Sequence, residues 1–318
     1  MVSRQTRWAT LWTALLLGAV VGLIWLGLRT EHLVVGGVEP PEITAGPAIS
    51  ATPSDPPPSP PSARVTPTGA PTRAVIAPDP ELAAAFAEQS GGLGGQYALA
   101  WVDGAGIHVL GTPADDLAWS TIKVPLAIAA LEADDTGDVR QQVSSALTVS
   151  DNDAALALWN RLGPPETAAG AVDEVLHAYD SAGTRTESGQ VRPPFSPFGQ
   201  TLWSVTDQAR FAAALACAAA GSTAHQVHAL TTEVGPDQRW GIGVLDEAHF
   251  KGGWGPQTDG GYVARQLGDV AVDGRRYALA VSARAADGSF PTATADVTRL
   301  VTWWADSLAP VASEMTCP

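Results

Sequence analysis

Residues 119–131 read Trp119-Ser-Thr-Ile-Lys-Val-Pro-Leu-Ala-Ile-Ala-Ala-Leu131. The apolar residues recur at helical spacing and predict a helix over about 120–132. Ser120 and Lys123, three apart at its start, then share one face about a turn apart. An amine in that place can take the hydroxyl proton once it is neutral, and a helix start offers backbone N–H groups to an oxyanion. Ser120 as a simple N-cap is the plainer reading of the same residues. The whole chain holds 16 arginines and only two lysines, Lys123 and Lys251. Guanidinium stays protonated in proteins, whereas burial can push an ammonium toward neutrality. A GC-rich coding bias also favours Arg, but it does not say where the two lysines remain.

Outward from this helix, Tyr97–Val102 and Gly106–Leu110 read as a hairpin turning at Asp103-Gly104. Three more helices are predicted at about 152–162, 166–180 and 206–220. Strands follow at 248–254, 261–272 and 276–282, and an amphipathic helix closes the chain at about 294–308. Two strands, a helical block, three strands and a helix imply an α+β domain, an antiparallel sheet flanked by helices. Ser150-Asp151-Asn152 precedes the second helix, where all three residue types also favour capping. Phe250-Lys251-Gly252-Gly253 falls on the third strand, so both lysines lie in short polar motifs.

In order, S-x-x-K, S-D-N and a K-x-G strand resemble the three signatures of class A β-lactamases and penicillin-binding proteins. The likeness spans roughly residues 81–310. It implies a β-lactamase/transpeptidase-like fold and a serine hydrolase or acyl-transferase acting on D-Ala-type peptidoglycan peptides or β-lactams, with no cofactor. By the resemblance Ser120 is the nucleophile and Lys123 its base, while Ser150 passes a proton to the leaving nitrogen. Asn152 orients Lys123 and the substrate amide, and Lys251 supports Ser150 and an anionic substrate group. The N–H groups of Ser120 and Trp254 form the oxyanion hole, and Gly253 and Trp254 line the substrate-binding strand.

Three departures stand out. Gly252 replaces the usual hydroxyl residue, and the 30-residue spacing from Ser120 to Ser150 implies a shortened helical subdomain. The deacylating glutamate of class A enzymes has Asn four residues on; Glu187 lies at about the right distance, but Val191 follows it. Glu166 reads instead as a first-turn helix acid. Arg265, if opposite or nearly opposite Lys251 in a hairpin, could clamp a carboxylate, or it is an ordinary strand arginine. These departures leave a second reading open, a non-catalytic envelope module that binds a peptide or protein in a cleft crowded by Trp254.

The N-terminal third is different in kind. Arg4 and Arg7 precede an apolar run from Trp8 to Leu28, long enough to span a bilayer and longer than a signal-peptide core. Residues 1–30 are therefore expected to anchor the chain in the cell membrane, with the rest extracytoplasmic. Residues 31–80 hold 13 of the 25 prolines within Glu39–Pro80 and read as an extended linker. That leaves 81–318 as the folded domain. It carries the whole net charge of −15, which argues against nucleic-acid partners. Cys217 and Cys317 are expected to pair outside the membrane. His225 and His228 lack a third ligand at metal-site spacing, so no metal is expected. No G-x-S-x-G elbow is present.

Overall fold

The computed structural model describes residues 73–112, 116–258 and 261–318. The expected membrane span lies outside them, as does all of the expected linker before Arg73. Among the described residues no helix is long and apolar enough to cross a membrane.

The chain runs β1 (Val75–Ile76), α1 (Pro80–Gly91), β2 (Gln96–Val102), β3 (Ile107–Gly111) and β4 (Asp116–Leu117). It continues through α2 (Lys123–Ala133), α3 (Gly137–Thr148), α4 (Asn152–Arg161), α5 (Pro165–Ala178), β5 (Leu202–Trp203), α6 (Val205–Ala216) and α7 (Thr223–Leu230). β6 (His249–Pro256), β7 (Tyr262–Val272), β8 (Arg275–Arg284) and α8 (Phe290–Ser307) complete it. The main sheet has the order β1-β3-β2-β8-β7-β6. Its pairs are antiparallel except that β1 lies parallel to β3. The sheet is therefore mixed, and the last residues of the expected linker already belong to the domain.

Alternation along the strands divides the interior into two cores. Ala98, Ala100 and Val102 of β2, with Ala278 and Ala280 of β8, face the helical layer of α2 to α7. Tyr97, Leu99 and Trp101, with Tyr277, Leu279 and Val281, face α8. Small residues on the first side admit helix backbones closely, while the second is filled by large rings such as Trp304. Burial on both faces explains why the strands read as continuous apolar runs.

Side-chain caps start the helices. Asp79 accepts from Glu81 and Leu82 N–H, Asp151 from Asp153 and Ala154, and Ser204, Ser222 and Ser289 each accept from the third N–H on. Sequence reading missed α1 and α3. In α3 the buried stripe is only Val139, Val143, Ala146 and Leu147, diluted by Arg140, Gln141, Gln142 and two serines.

The Cys217–Cys317 disulfide forms as expected, across a sequence separation of 100. It fixes the C-terminal tail to the end of α6, and Met315 N–H donates to Arg276 O at 2.9 Å. Replacing both cysteines by serine is expected to remove up to about 4.7 kcal/mol of unfolding free energy by the chain-entropy account. Urea denaturation of oxidised wild type against the double variant measures it, and equal midpoints would contradict the estimate.

Candidate active site

Ser120 lies in a 3-10 turn, Trp119–Ile122, that runs into α2. At three residues per turn, Ser120 and Lys123 stand over one another, more closely aligned than in the α-helical start expected from sequence. Trp119 holds the left-handed region, φ 50°, a costly conformation for a large side chain. Its ring is fixed edge-on against Phe195 at 5.0 Å, with the Arg192 guanidinium 5.9 Å from its centroid. Buried Gln208, on α6, donates to Thr121 Oγ1 at 2.9 Å and ties the turn to the helical layer.

The edge strand β6 lies against this turn because Gly253 has no side chain. A Cβ there would stand 2.9 Å from the backbone nitrogens of Ser120 and Thr121 and 2.7 Å from Ala118 O. This places the strand carrying Trp254 N–H beside the Ser120 backbone. The Trp254 side chain, one residue on, takes the opposite face and packs on Phe290 at 5.4 Å and Trp240 at 6.3 Å. Contrary to the sequence reading, its ring joins the aromatic group on the α8 side.

Ser150, also left-handed at φ 58°, joins the two lysines. Lys123 Nζ donates to Ser150 O at 2.6 Å and Asn152 Oδ1 at 2.7 Å, with longer contacts to Asp151 O at 3.3 Å and Ser150 Oγ at 3.4 Å. Lys251 Nζ donates to Ser150 Oγ at 3.0 Å, Gly252 O at 3.0 Å and Gln238 Oε1 at 3.4 Å. Gln238 is a residue beside the lysines that sequence reading missed; it ends a short 3-10 turn, Pro236–Gln238, and no motif marks it. A hydroxyl accepting from two amines keeps its own O–H free to point elsewhere. Burial lowers both lysines: Lys123 falls to about 8, against an opposing pull from Asp151, and Lys251 falls well below its ordinary value, helped by the charge of Lys123.

Four expected residues thus converge through hydrogen bonds, Lys123, Ser150, Asn152 and Lys251, and Ser120 stands one 3-10 turn before Lys123. No hydrogen bond joins Ser120 Oγ to Lys123 Nζ. Glu187 is not brought to them by any hydrogen bond or ion pair. Its N–H donates to Thr201 Oγ1 at 3.0 Å and its Oε1 accepts from Gly189 N–H at 2.7 Å, so the carboxylate closes its own loop.

Arg265 is corrected more sharply. The register pairs it with Gly253, while Lys251 faces Leu267. It shares the face of Lys251 but is fully buried, donating to the carbonyls of Asp116 at 2.7 Å, Leu117 at 3.2 Å and Trp203 at 2.6 Å. Its charge holds the small β4–β5 sheet to β7 and is not presented to a ligand. At Gly252, a Cβ would point to the other face, 3.2 Å from Trp240 Cζ2. Trp240, unmarked in the sequence, covers the place of the missing hydroxyl residue.

The histidine reading also changes. His225 is exposed, but His228 meets His249 and Asp269, supplied by β6 and β7 and therefore invisible to local spacing.

With this geometry established, comparison with solved structures finds the same fold repeatedly. A class A β-lactamase from Bacteroides cellulosilyticus superposes with TM-score 0.56 at 12% identity, covering 71% of this chain and 96% of that one. A β-lactamase from Sphaerobacter thermophilus gives 0.53 at 20% identity, covering 72% and 97%. One from Xanthomonas campestris gives 0.54 at 18%, covering 70% and 96%. No family model and no curated protein sequence matches the chain.

Because Arg265 serves three buried carbonyls, Arg265→Met is expected to cost about 3 kcal/mol of stability, the penalty of leaving such acceptors unpaired. Urea denaturation reads this directly, and an unchanged midpoint would show that these three bonds do not hold the β4–β5 sheet in place.

Proposed function

We propose that this chain, which has the class A β-lactamase and penicillin-binding-protein fold, is a serine acyl-transferase or hydrolase working through an acyl-Ser120 intermediate. Its donors are D-Ala-type cell-wall peptides or the β-lactams that mimic them. The observation that carries the reading is the single Ser150 hydroxyl held by two buried lysines, one of which, Lys123, follows Ser120 by one 3-10 turn. The residues 1–30 anchor and the proline-rich segment belong to the same proposal, holding the domain outside the cell membrane near its substrate.

The step runs as follows. Neutral Lys123 takes the Ser120 proton, Ser120 Oγ attacks the carbonyl carbon, and the oxyanion is received by the N–H groups of Ser120 and Trp254. The intermediate collapses by breaking the carbon–nitrogen bond. Ser150 O–H gives its proton to the departing nitrogen and is resupplied from the lysines bonded to it. Asn152, which holds Lys123 through Oδ1, keeps the amine aimed during transfer.

Release of the acyl group needs a water and a base on the open face of the ester. Glu187 is engaged with Gly189 in its own loop, which supports slow release and a weak β-lactamase. Absence of a positioned base costs typically about 10²–10⁴-fold. A second reading, a non-catalytic binding module, is favoured by one observation: Lys123 donates to Ser150 O and Asn152 Oδ1 and does not bond Ser120.

Three outcomes are expected of the purified full-length chain. A β-lactam or activated ester adds one acyl mass on Ser120, lost in Ser120→Ala; labelling that persists in the variant, or never occurs, would favour the binding module. The acylation rate should rise about tenfold per pH unit on approaching the Lys123 value of about 8 and level off above it, since only the neutral amine accepts the proton. Nitrocefin turnover should be slow and unchanged in Glu187→Gln, whereas fast turnover that collapses in that variant would assign Glu187 the deacylating role.

A further inference from the structure

Away from the Ser120 cleft, three elements bring metal-ligating side chains together. His228 stands in the last turn of α7, His249 opens β6, and Asp269 is the register partner of His249 on β7. One ligand atom from each lies within 4.8 Å of the other two. The imidazole rings are parallel within 4° with centroids 3.9 Å apart, and Asp269 is 1% exposed. A small cavity of about 10 Å³, room for about one water, borders all three, with Thr231 and Lys251 on its wall.

The contacts already resemble the outer shell of a metal site. His249 Nδ1 faces His228 O at 3.1 Å, and because a carbonyl only accepts, the ring proton sits on Nδ1 and the lone pair on Nε2. Ligating histidines are commonly oriented by such a bond through the other nitrogen. Asp269 Oδ2 is held by Arg276, which leaves Oδ1 as the ligand oxygen. That Oδ1 stands 2.5 Å from His228 Nε2, a contact that requires a proton, or another cation in its place, between the two atoms.

We propose that His228, His249 and Asp269 form a transition-metal site of the zinc class. Two imidazole nitrogens and one carboxylate oxygen are the donor set such ions take, with bonds of about 2.0–2.2 Å and a fourth position for water, here toward the cavity. Rotating the two rings out of their stack about χ2 closes the triangle of ligand atoms. The metal displaces the proton shared by His228 and Asp269, and Arg276 remains on Oδ2 as the partner that fixes the carboxylate. This site stands apart from the Ser120 proposal, and its test needs no catalytic activity.

The experiment is titration of the metal-stripped full-length chain with Co²⁺, followed by its visible d–d bands, and with Zn²⁺, followed by calorimetry and thermal midpoint. The expected result is one ion per chain with the intense bands of four-coordinate cobalt and a raised midpoint. Affinity should fall at least about tenfold in His249→Ala and His228→Ala and stay at the wild-type value in His225→Ala. Near-UV circular dichroism confirms that each variant is folded, and His249→Gln, which keeps much of the ring's volume, replaces any that is not. No stoichiometric binding, or binding that survives loss of both His228 and His249, would overturn the proposal and leave the cluster as a hydrogen-bonded ion-pair network.

Discussion

The constraint on which the site depends is the burial of two lysines against one hydroxyl. Lys123 is 2% exposed and Lys251 fully enclosed, so water does little to stabilise either charge. Oxygen atoms of the protein must replace it. The carbonyls of Ser150, Asp151 and Gly252 and the side chains of Asn152 and Gln238 are all turned toward the two amines. Meeting that demand sets the left-handed backbone of Ser150, the close seat of β6 at Gly253 and the placement of the loop that carries Gln238.

Much of this was legible because it is local. The hairpin at 96–111, the helix after Ser120 and the three strands after 248 follow from periodicity and turn residues, and the scarcity of lysine marked the two that matter. What was not legible depends on partners distant in sequence. Arg265 was expected opposite or nearly opposite Lys251 as a clamp for a carboxylate, but only the fold reveals the carbonyls of β4 and β5 that take its guanidinium. Trp240 and Gln238 lie where no motif marks them. His249 and Asp269 are ordinary strand residues until the β6–β7 register sets them opposite one another and α7 lowers His228 onto them. β1 was hidden in a proline-rich stretch whose composition reads as linker.

The domain distributes its charge unevenly. Its surplus is acidic, yet several cations are matched to buried oxygen atoms: fully buried Arg265 to three carbonyls, and half-buried Arg284 and Arg276 to Asp116 and Asp269. Guanidinium suits the structural posts because it cannot lose its proton. Lysine is kept for the two buried places beside Ser150, where burial lowers both ammonium groups from their ordinary range.

The two ends of the domain are neighbours. Arg73 donates to Thr316 O at 2.9 Å, one residue before the cysteine that is bonded to α6. Seen mechanically, a pull on the chain before Arg73 meets first a single guanidinium bond and a two-residue strand, both weak and able to re-form. Behind them the tail is held covalently and cannot follow. β1, paired through two residues to β3 alone, is thus the first part of the sheet such a pull would strain, ahead of the disulfide-held tail.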